Sequence, residues 1–584
     1  MTTELGHVIG LDIGDGESCL AWAPADRSEP MQIYTRPRSR ERSIVTAMVR
    51  SPTGTGRRLI GDEAVTSHGA THFGVNFKTV PDVQSPHAPD AVLFAQALLT
   101  EFQEQHPDVV RDGVVFVGHP AGWPAEVVDA YGRHLNRLEV PVHLMPESQS
   151  ALLHVRDRGR DQRQLERVLI VDIGSSTTDF TIVEDLSPRN LPVGAALGCR
   201  QIDEQLAELV RAALPHDTAL AEALACDGGP DFLLLACRWA KEAQFSGIPR
   251  RIMDLRESCE ERFRPIVASA WTWLLNLEIA QTVAAPGGWG DHFRAVLIEV
   301  ADQLGELPHL LVLTGGGSRM PLADRLCREV FSTSIVEHDD EPAFAVARGL
   351  VSNGQHRAGV RRFRREVTEL IEDPATRELV RAEAVQALST LKDKVAGQML
   401  EAHSSAAALT SHIKFGMYEA TRALADALAY YLSMRVERIC RRHGIPADRV
   451  RLDLILPDLF SDRLDLIVDR VDRAERLTEH SAPGLLTPFG VPQDAMSQAF
   501  SSAMERARSR FAPSLDPQLA SLAIGALTSS SGLAADRLAR RWIQRLVRLG
   551  EYTPDELDRI TATVMAAVIE QTEDRARDLE RWLV

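Results

Sequence analysis

The chain has 584 residues, 44% of them hydrophobic, enough to bury several cores, and ordinary domain size predicts about four compact units. Its 82 acidic against 65 basic residues give a net charge of −17, which excludes a general nucleic-acid binder, because neutralising phosphates needs a net basic field. Seven dispersed cysteines without a CxxC pair exclude a disulfide or zinc framework, no run approaches the ~20 apolar residues of a membrane helix, and the N-terminus lacks a leader's apolar core, so a cytoplasmic protein is expected.

In chain order, the first predicted element is the apolar strand ending in Asp12-Ile13-Gly14, followed by an extended run through Cys19 to Trp22, a hairpin with a tight polar turn. The strand Val114 to Val117 comes next, then a second hairpin that repeats the first: Ile170 to Gly174 and Phe180 to Val183. Two matching hairpins imply two equivalent lobes. Residues 286–290 read as a surface loop, and the strand Leu310 to Leu313 runs into a third glycine turn. These buried strands alternating with helices predict an α/β fold over residues 1–355. Beyond it lie a helical domain (356–480), a loop-rich linker (481–517, with five prolines between 483 and 517) and C-terminal helices (518–584). Val380, Ala384, Leu388, Leu391, Val395 and Met399 recur at helical spacing. Asp373-Pro374 and Thr553-Pro554-Asp555-Glu556 read as helix starts, the second with a capping box. Leu452, Leu454 and Leu456 alternate as one strand would, and that short alternation is ambiguous. In residues 535–549, Leu538, Trp542, Leu546 and Leu549 oppose five arginines, as in a helix docked on an acidic partner or a membrane surface, or in a packed helix with solvated arginines.

The first turn, Asp12 to Ser18, places a carboxylate at a strand end and glycines Gly14 and Gly16 where backbone amides can approach phosphates; read alone, it is equally an ordinary hairpin turn. The second turn, Asp172, Gly174, Ser175, Ser176 and Thr177, repeats the carboxylate and adds hydroxyl donors. Two facing carboxylates can hold a hydrated Mg²⁺, which keeps most of its waters and takes few protein ligands.

These two turns, Pro146-Glu147-Ser148 with Ala151, the run Thr314 to Pro321 and the run Glu341 to Gly349 resemble, in order, the five signature motifs of the actin-like ATPases. Residues 6–355 are most similar to the ATPase domain of the 70-kilodalton heat-shock (DnaK-type) proteins. Asn76-Phe77-Lys78, Gly118-His119-Pro120-Ala121, Leu197-Gly198 through Ile202-Asp203, and Ala236 through Lys241 also match that family. The resemblance implies a two-lobed actin-like fold of duplicated ribonuclease-H-like lobes, followed by a mainly α-helical C-terminal region. It further implies ATP or ADP with Mg²⁺ as cofactors and slow hydrolysis. Asp12 and Asp172 would lie near the metal, Glu147 would orient the attacking water, and Lys78 and Thr177 would face the terminal phosphate. Gly14, Asp15, Gly16, Gly174, Ser175, Ser176, Asp203, Arg238, Lys241, Gly315, Gly316, Gly317 and Arg319 would line the nucleotide, with Arg319 flat on adenine and Lys241 at the ribose.

The sequence departs from that family in places. Asp15 and Gly16 stand where it has hydroxyls, so a carboxylate would repel polyphosphate unless Mg²⁺ intervenes or the side chain turns away. Ser175 and Ser176 replace glycines and would be strained if those positions need positive φ. Arg238 replaces a glutamate, Cys199 a glycine, and no β-sandwich client domain follows. The expectation is a chaperone-like ATPase switch that engages a protein partner through its helices. A filament-forming actin-like protein, a nucleotide-sensing pseudo-ATPase and a small-molecule kinase on the same fold remain alternatives.

Overall fold

The computed structural model describes residues 5–37, 39, 41–51, 58–85, 87–120, 122–138, 140–147, 150, 167–184, 187–194, 197–276, 278–401, 406–446, 450–459 and 552–580. The chain divides into two compact units, Met1–Ala358 and Gly359–Val584.

In the first unit the strands are β1 (His7–Ile13), β2 (Glu17–Pro24), β3 (Gln32–Ile33), β4 (Ile44–Val45), β5 (Ala47–Arg50), β6 (Arg58–Ile60), β7 (Thr71–Val75), β8 (Gly113–His119), β9 (Val142–Pro146), β10 (Arg167–Ile173), β11 (Thr178–Glu184), β12 (Ser187–Leu191), β13 (Leu310–Thr314) and β14 (Ile335–His338). One sheet has the order β3-β2-β1-β8-β9, with β4 also on β2, and a second has the order β12-β11-β10-β13-β14. A third, small sheet is β6-β5-β7. The two large sheets share one plan: an antiparallel three-strand meander, then two strands added in parallel to its first member. The registers correspond as well, with Asp12 opposite Cys19 in one hairpin and Asp172 opposite Asp179 in the other. The repeated Asp-x-Gly is therefore the sequence trace of a repeated sheet.

The central strands are apolar along their length because both faces are covered. Ile9, Leu11 and Ile13 pack with Phe94, Leu98, Phe102 and Tyr131, while Val8 and Phe116 face Ala347, Leu350 and Val351. In the second half Leu169, Val171 and Ile173 enter the largest core, and Val168 and Ile170 turn the other way.

Residues 286–290 are not wholly loop. Trp289 and Gly290 begin the helix Trp289–Leu304, and Trp289 is buried and stacked on Phe293 with centroids 4.8 Å apart. The glycines around the tryptophan masked the start of an apolar helix.

The second unit's described part is helical: Pro374–Glu401, Ala406–Arg442 and Pro554–Glu580, with the end of Ala345–Glu372. Val380, Ala384, Leu388 and Leu391 are buried as expected, while the side chains of Val395 and Met399 lie outside the described residues. Asp373 accepts from the Ala375 amide at 2.9 Å, and Thr553 and Glu556 exchange capping-box bonds at 2.9 and 3.3 Å. Residues 452–456 form no strand, although their alternation is real: Leu452, Leu454 and Leu456 are buried and Ile455 is exposed. The carboxamide of Gln571 both accepts from the Ile455 amide at 2.8 Å and donates to its carbonyl at 2.7 Å, replacing a partner strand. Ser148, Ala151, the 481–517 linker and residues 535–549 lie outside the described residues.

Candidate functional site

The second hairpin turn is held by backbone. There Gly174 donates to the Thr177 carbonyl at 2.9 Å, and the helix Arg200–Ala213 begins against it: the Cys199 amide donates to Gly174 at 3.0 Å and the Arg200 amide to Ser175 at 2.7 Å. Gly198 makes that approach possible, since a Cβ there would lie 2.6 Å from the Ser176 carbonyl oxygen. Ser175 and Ser176 do not adopt positive φ, so the strain that their substitution for glycine would impose is absent. Glu147 follows β9 directly, its Cγ 3.0 Å from where a Gly118 Cβ would sit. Gly349 lets the helix Ala345–Glu372 press on the backbone of Ser150 just beyond.

The strand ends gather four carboxylates around one ammonium. Lys78, buried and preceded by Asn76 at φ 55°, forms an ion pair and hydrogen bond with Glu147. Burial pushes the Asp12 carboxyl up to about 7, and the charge of Glu147 adds to it against the opposing pull of Lys78. Burial and Glu147 push Asp179 up to about 6, although Thr177 donates to it at 3.0 Å. Asp172 is raised well above its usual range by burial, then by Asp179, Glu147 and Asp12. Burial alone would lower Lys78, but Glu147 and Asp12 outweigh it and raise the ammonium. The phenol of Tyr131, whose oxygen is buried without a protein partner, feels Lys78, Glu147 and Asp12 and stands edge-on to Trp123.

The first turn is gripped by cations from the second half. Asp15 is buried, its carboxylate accepting from the Lys78 amide at 3.1 Å and from Arg200 at 3.2 Å. Arg238 is also buried: it bonds Asn76, approaches Asp203 at 3.5 Å, and lies 3.3 Å from where a Gly16 Cβ would stand. Lys241 pairs with Asp203 at 2.6 Å and donates to the Cys199 carbonyl at 3.1 Å. Arg238, Lys241 and Asp203 thus form one buried charge network. Arg251 pairs with Glu17, which burial would raise but Arg251 and Arg319 hold below its usual range. Burial and Glu17 push the nearby Glu242 up to about 7.

The glycine run divides by role. Gly315, at φ 77°, brings the turn onto β10, where a Cβ would stand 2.6 Å from the Ile173 carbonyl oxygen, and Gly317 packs on Ile173 and the Cys199 sulfur. Of the three, only Gly316 faces open space, whereas Gly315 and Gly317 serve the packing of the turn on the protein itself. Arg319 is exposed beside it.

Asp12, Lys78, Glu147, Asp172 and Thr177 are brought together, as are Asp15, Gly16, Asp203, Arg238 and Lys241. Sequence reasoning missed Tyr131, Asp179, Arg200, Glu17 and Arg251 as members of the site. Asp179 was legible as Asp172's partner across a tight hairpin; Tyr131, on the helix Ala125–Leu135, carries no local signal. No protein-family model matches the sequence, and no curated protein matches it significantly.

Among the described residues, no group of three or more His, Cys, Asp or Glu side chains is placed to hold a metal ion. Four mutually repelling carboxylates against one lysine nonetheless suit a hydrated divalent cation, held through few protein oxygens. Among the described residues, no helix is long and apolar enough to cross a membrane.

Proposed function

We propose that residues 1–358 bind Mg-ATP or Mg-ADP in an actin-like, heat-shock-type ATPase fold, and that the protein is a slowly hydrolysing switch. The observation that carries this reading is the carboxylate cluster at corresponding ends of two sheets of identical order. Raised carboxyls at Asp12, Asp172 and Asp179 mark negative charge that one lysine leaves uncompensated. Buried donors without protein partners, Asn76 Nδ2, Ser175 Oγ and Thr314 Oγ1, stand beside the turns. Native interiors rarely leave such groups unpaired, so a polar ligand there is the economical explanation.

Mg²⁺, when bound near Asp12 and Asp172, would neutralise phosphate charge. The chain's own groups do the rest. Glu147 holds and polarises the attacking water, Lys78 carries positive charge to the terminal phosphate, and the amides of the two turns fix the phosphate chain. Gly316 leaves space for the nucleoside, with Arg319 exposed beside it. A helical second unit suits coupling of nucleotide state to a protein partner. The pairing of Lys78 with Glu147, and of Thr177 with Asp179, favours a second reading in which the pocket senses nucleotide without turnover.

Glu147→Gln separates the two. In a switch that hydrolyses, it lowers Mg-ATP turnover by about a hundredfold and leaves ADP affinity nearly unchanged. Measurable turnover that the substitution does not alter overturns the role of Glu147; binding without turnover in the unmodified chain establishes the sensor.

A further inference from the structure

Asp15 poses a problem that the nucleotide reading sharpens. Its carboxylate is wholly buried in the first turn, where a phosphate-binding loop would gain nothing from negative charge. Yet it is surrounded as a bound anion would be. The Lys78 backbone amide donates to one oxygen at 3.1 Å, the Arg200 guanidinium to the other at 3.2 Å, and Arg238 reaches the Asp15 carbonyl at 3.5 Å. Arg200 comes from the opposite half of the unit, and its own amide is bonded to Ser175 of the second turn. One residue therefore touches both turns. The Asp15 side chain has no surface exposed, whereas Arg200 keeps 34% of its side chain in solvent and has a second partner, Glu204, at 3.1 Å. Arg200 can leave Asp15 and remain compensated. The unpaired Ser175 hydroxyl and Asn76 amide add donors on the residues whose backbone or side chain already anchors Arg200 and Arg238.

We propose that Asp15 is a built-in anion, and that Arg200 is the cation which the phosphate chain of a nucleoside di- or triphosphate takes from it. The inference rests on the nucleotide reading and extends it: affinity is set by competition between an internal carboxylate and an external phosphate for one guanidinium. Without ligand, the Asp15–Arg200 pair ties the first turn to the start of the helix Arg200–Ala213. With ligand, that tie is exchanged for one through phosphate.

The test is ADP titration calorimetry on the full chain, with pyrophosphate as a second probe and circular dichroism to verify folding. Asp15→Asn removes the competitor and tightens ADP by several-fold to about tenfold; Arg200→Gln weakens it by about tenfold, and Arg200→Lys restores part of the loss. The decisive measurement is the double variant. If Arg200 only neutralises Asp15, Arg200→Gln costs nothing once Asp15 is Asn, and the proposal fails. If Arg200 binds phosphate, the loss persists in that background. Weaker ADP binding by Asp15→Asn also overturns it. Pyrophosphate binding that needs Arg200, without any ADP binding, upholds the anion site and sinks the nucleotide reading; no binding of either probe sinks both.

Discussion

The two hairpin turns occupy corresponding places in two sheets of the same order, yet they are held by different means. The first, around Asp15 and Glu17, carries charge and is matched by Arg200, Arg238 and Arg251 side chains. The second, around Ser175 and Ser176, is neutral and is held by amides and by the close approach of Gly198. Side chains can exchange partners at modest cost, whereas packed backbone cannot. The difference assigns adjustability to the first turn and rigidity to the second.

The comparison breaks most severely where the ammonium shared by both strand ends is removed. Lys78→Met keeps the length of the side chain but leaves Glu147, only 14% exposed, beside Asp12, Asp172 and Asp179 without a cation. Breaking a buried pair by deleting one partner costs about 3–5 kcal/mol, read as a fall in urea-denaturation stability. A smaller effect sharpens the contrast between the turns. Gly198→Ala drives a methyl into the Ser175 and Ser176 backbone and should cost about 1–3 kcal/mol, as overpacking does. Gly16→Ala meets only the end of the Arg238 side chain, at 3.3 Å, and should cost less than about 1 kcal/mol. Equal losses in the two variants would remove the distinction.

Much of this was legible in the sequence because the informative elements obey local rules. The hairpins and β13 are short apolar runs ending in glycine turns, β8 is an apolar run ending before Pro120, and the caps at Asp373 and Thr553 use oxygens at fixed spacing. The edge strand β14 was not, because Ile335 and His338 are exposed and the strand lacks a continuous apolar run. Within the site, residues of the turns could be named from sequence. Arg200, Arg251 and Tyr131 could not, because each reaches the turns from a helix distant in sequence, and only folding supplies the partner. The buried pairing of Arg238 was illegible for the same reason, since its carboxylate and amide partners are 35 and 162 positions away.

The last expected effect has the opposite sign. Asp12 is raised in the folded chain to about 7 from an ordinary 3.8, so the native state binds more protons than the unfolded state between those values. Stability from this group is therefore present below about pH 4 and lost as pH rises through the folded value. Asp12→Asn should stabilise the ligand-free protein by about 1–2 kcal/mol at pH 8, and the gain should shrink towards zero near pH 4. Urea titrations at the two pH values measure this directly. A gain independent of pH would mean that Asp12 is strained by packing rather than by charge. A loss at pH 8 would mean that its carboxylate is already compensated, and the first strand end would then have no unneutralised charge for a cation to relieve. Asp12 tests both its own titration and the electrostatic premise of the site, since the charge that destabilises the empty fold is the charge that a bound divalent ion would neutralise.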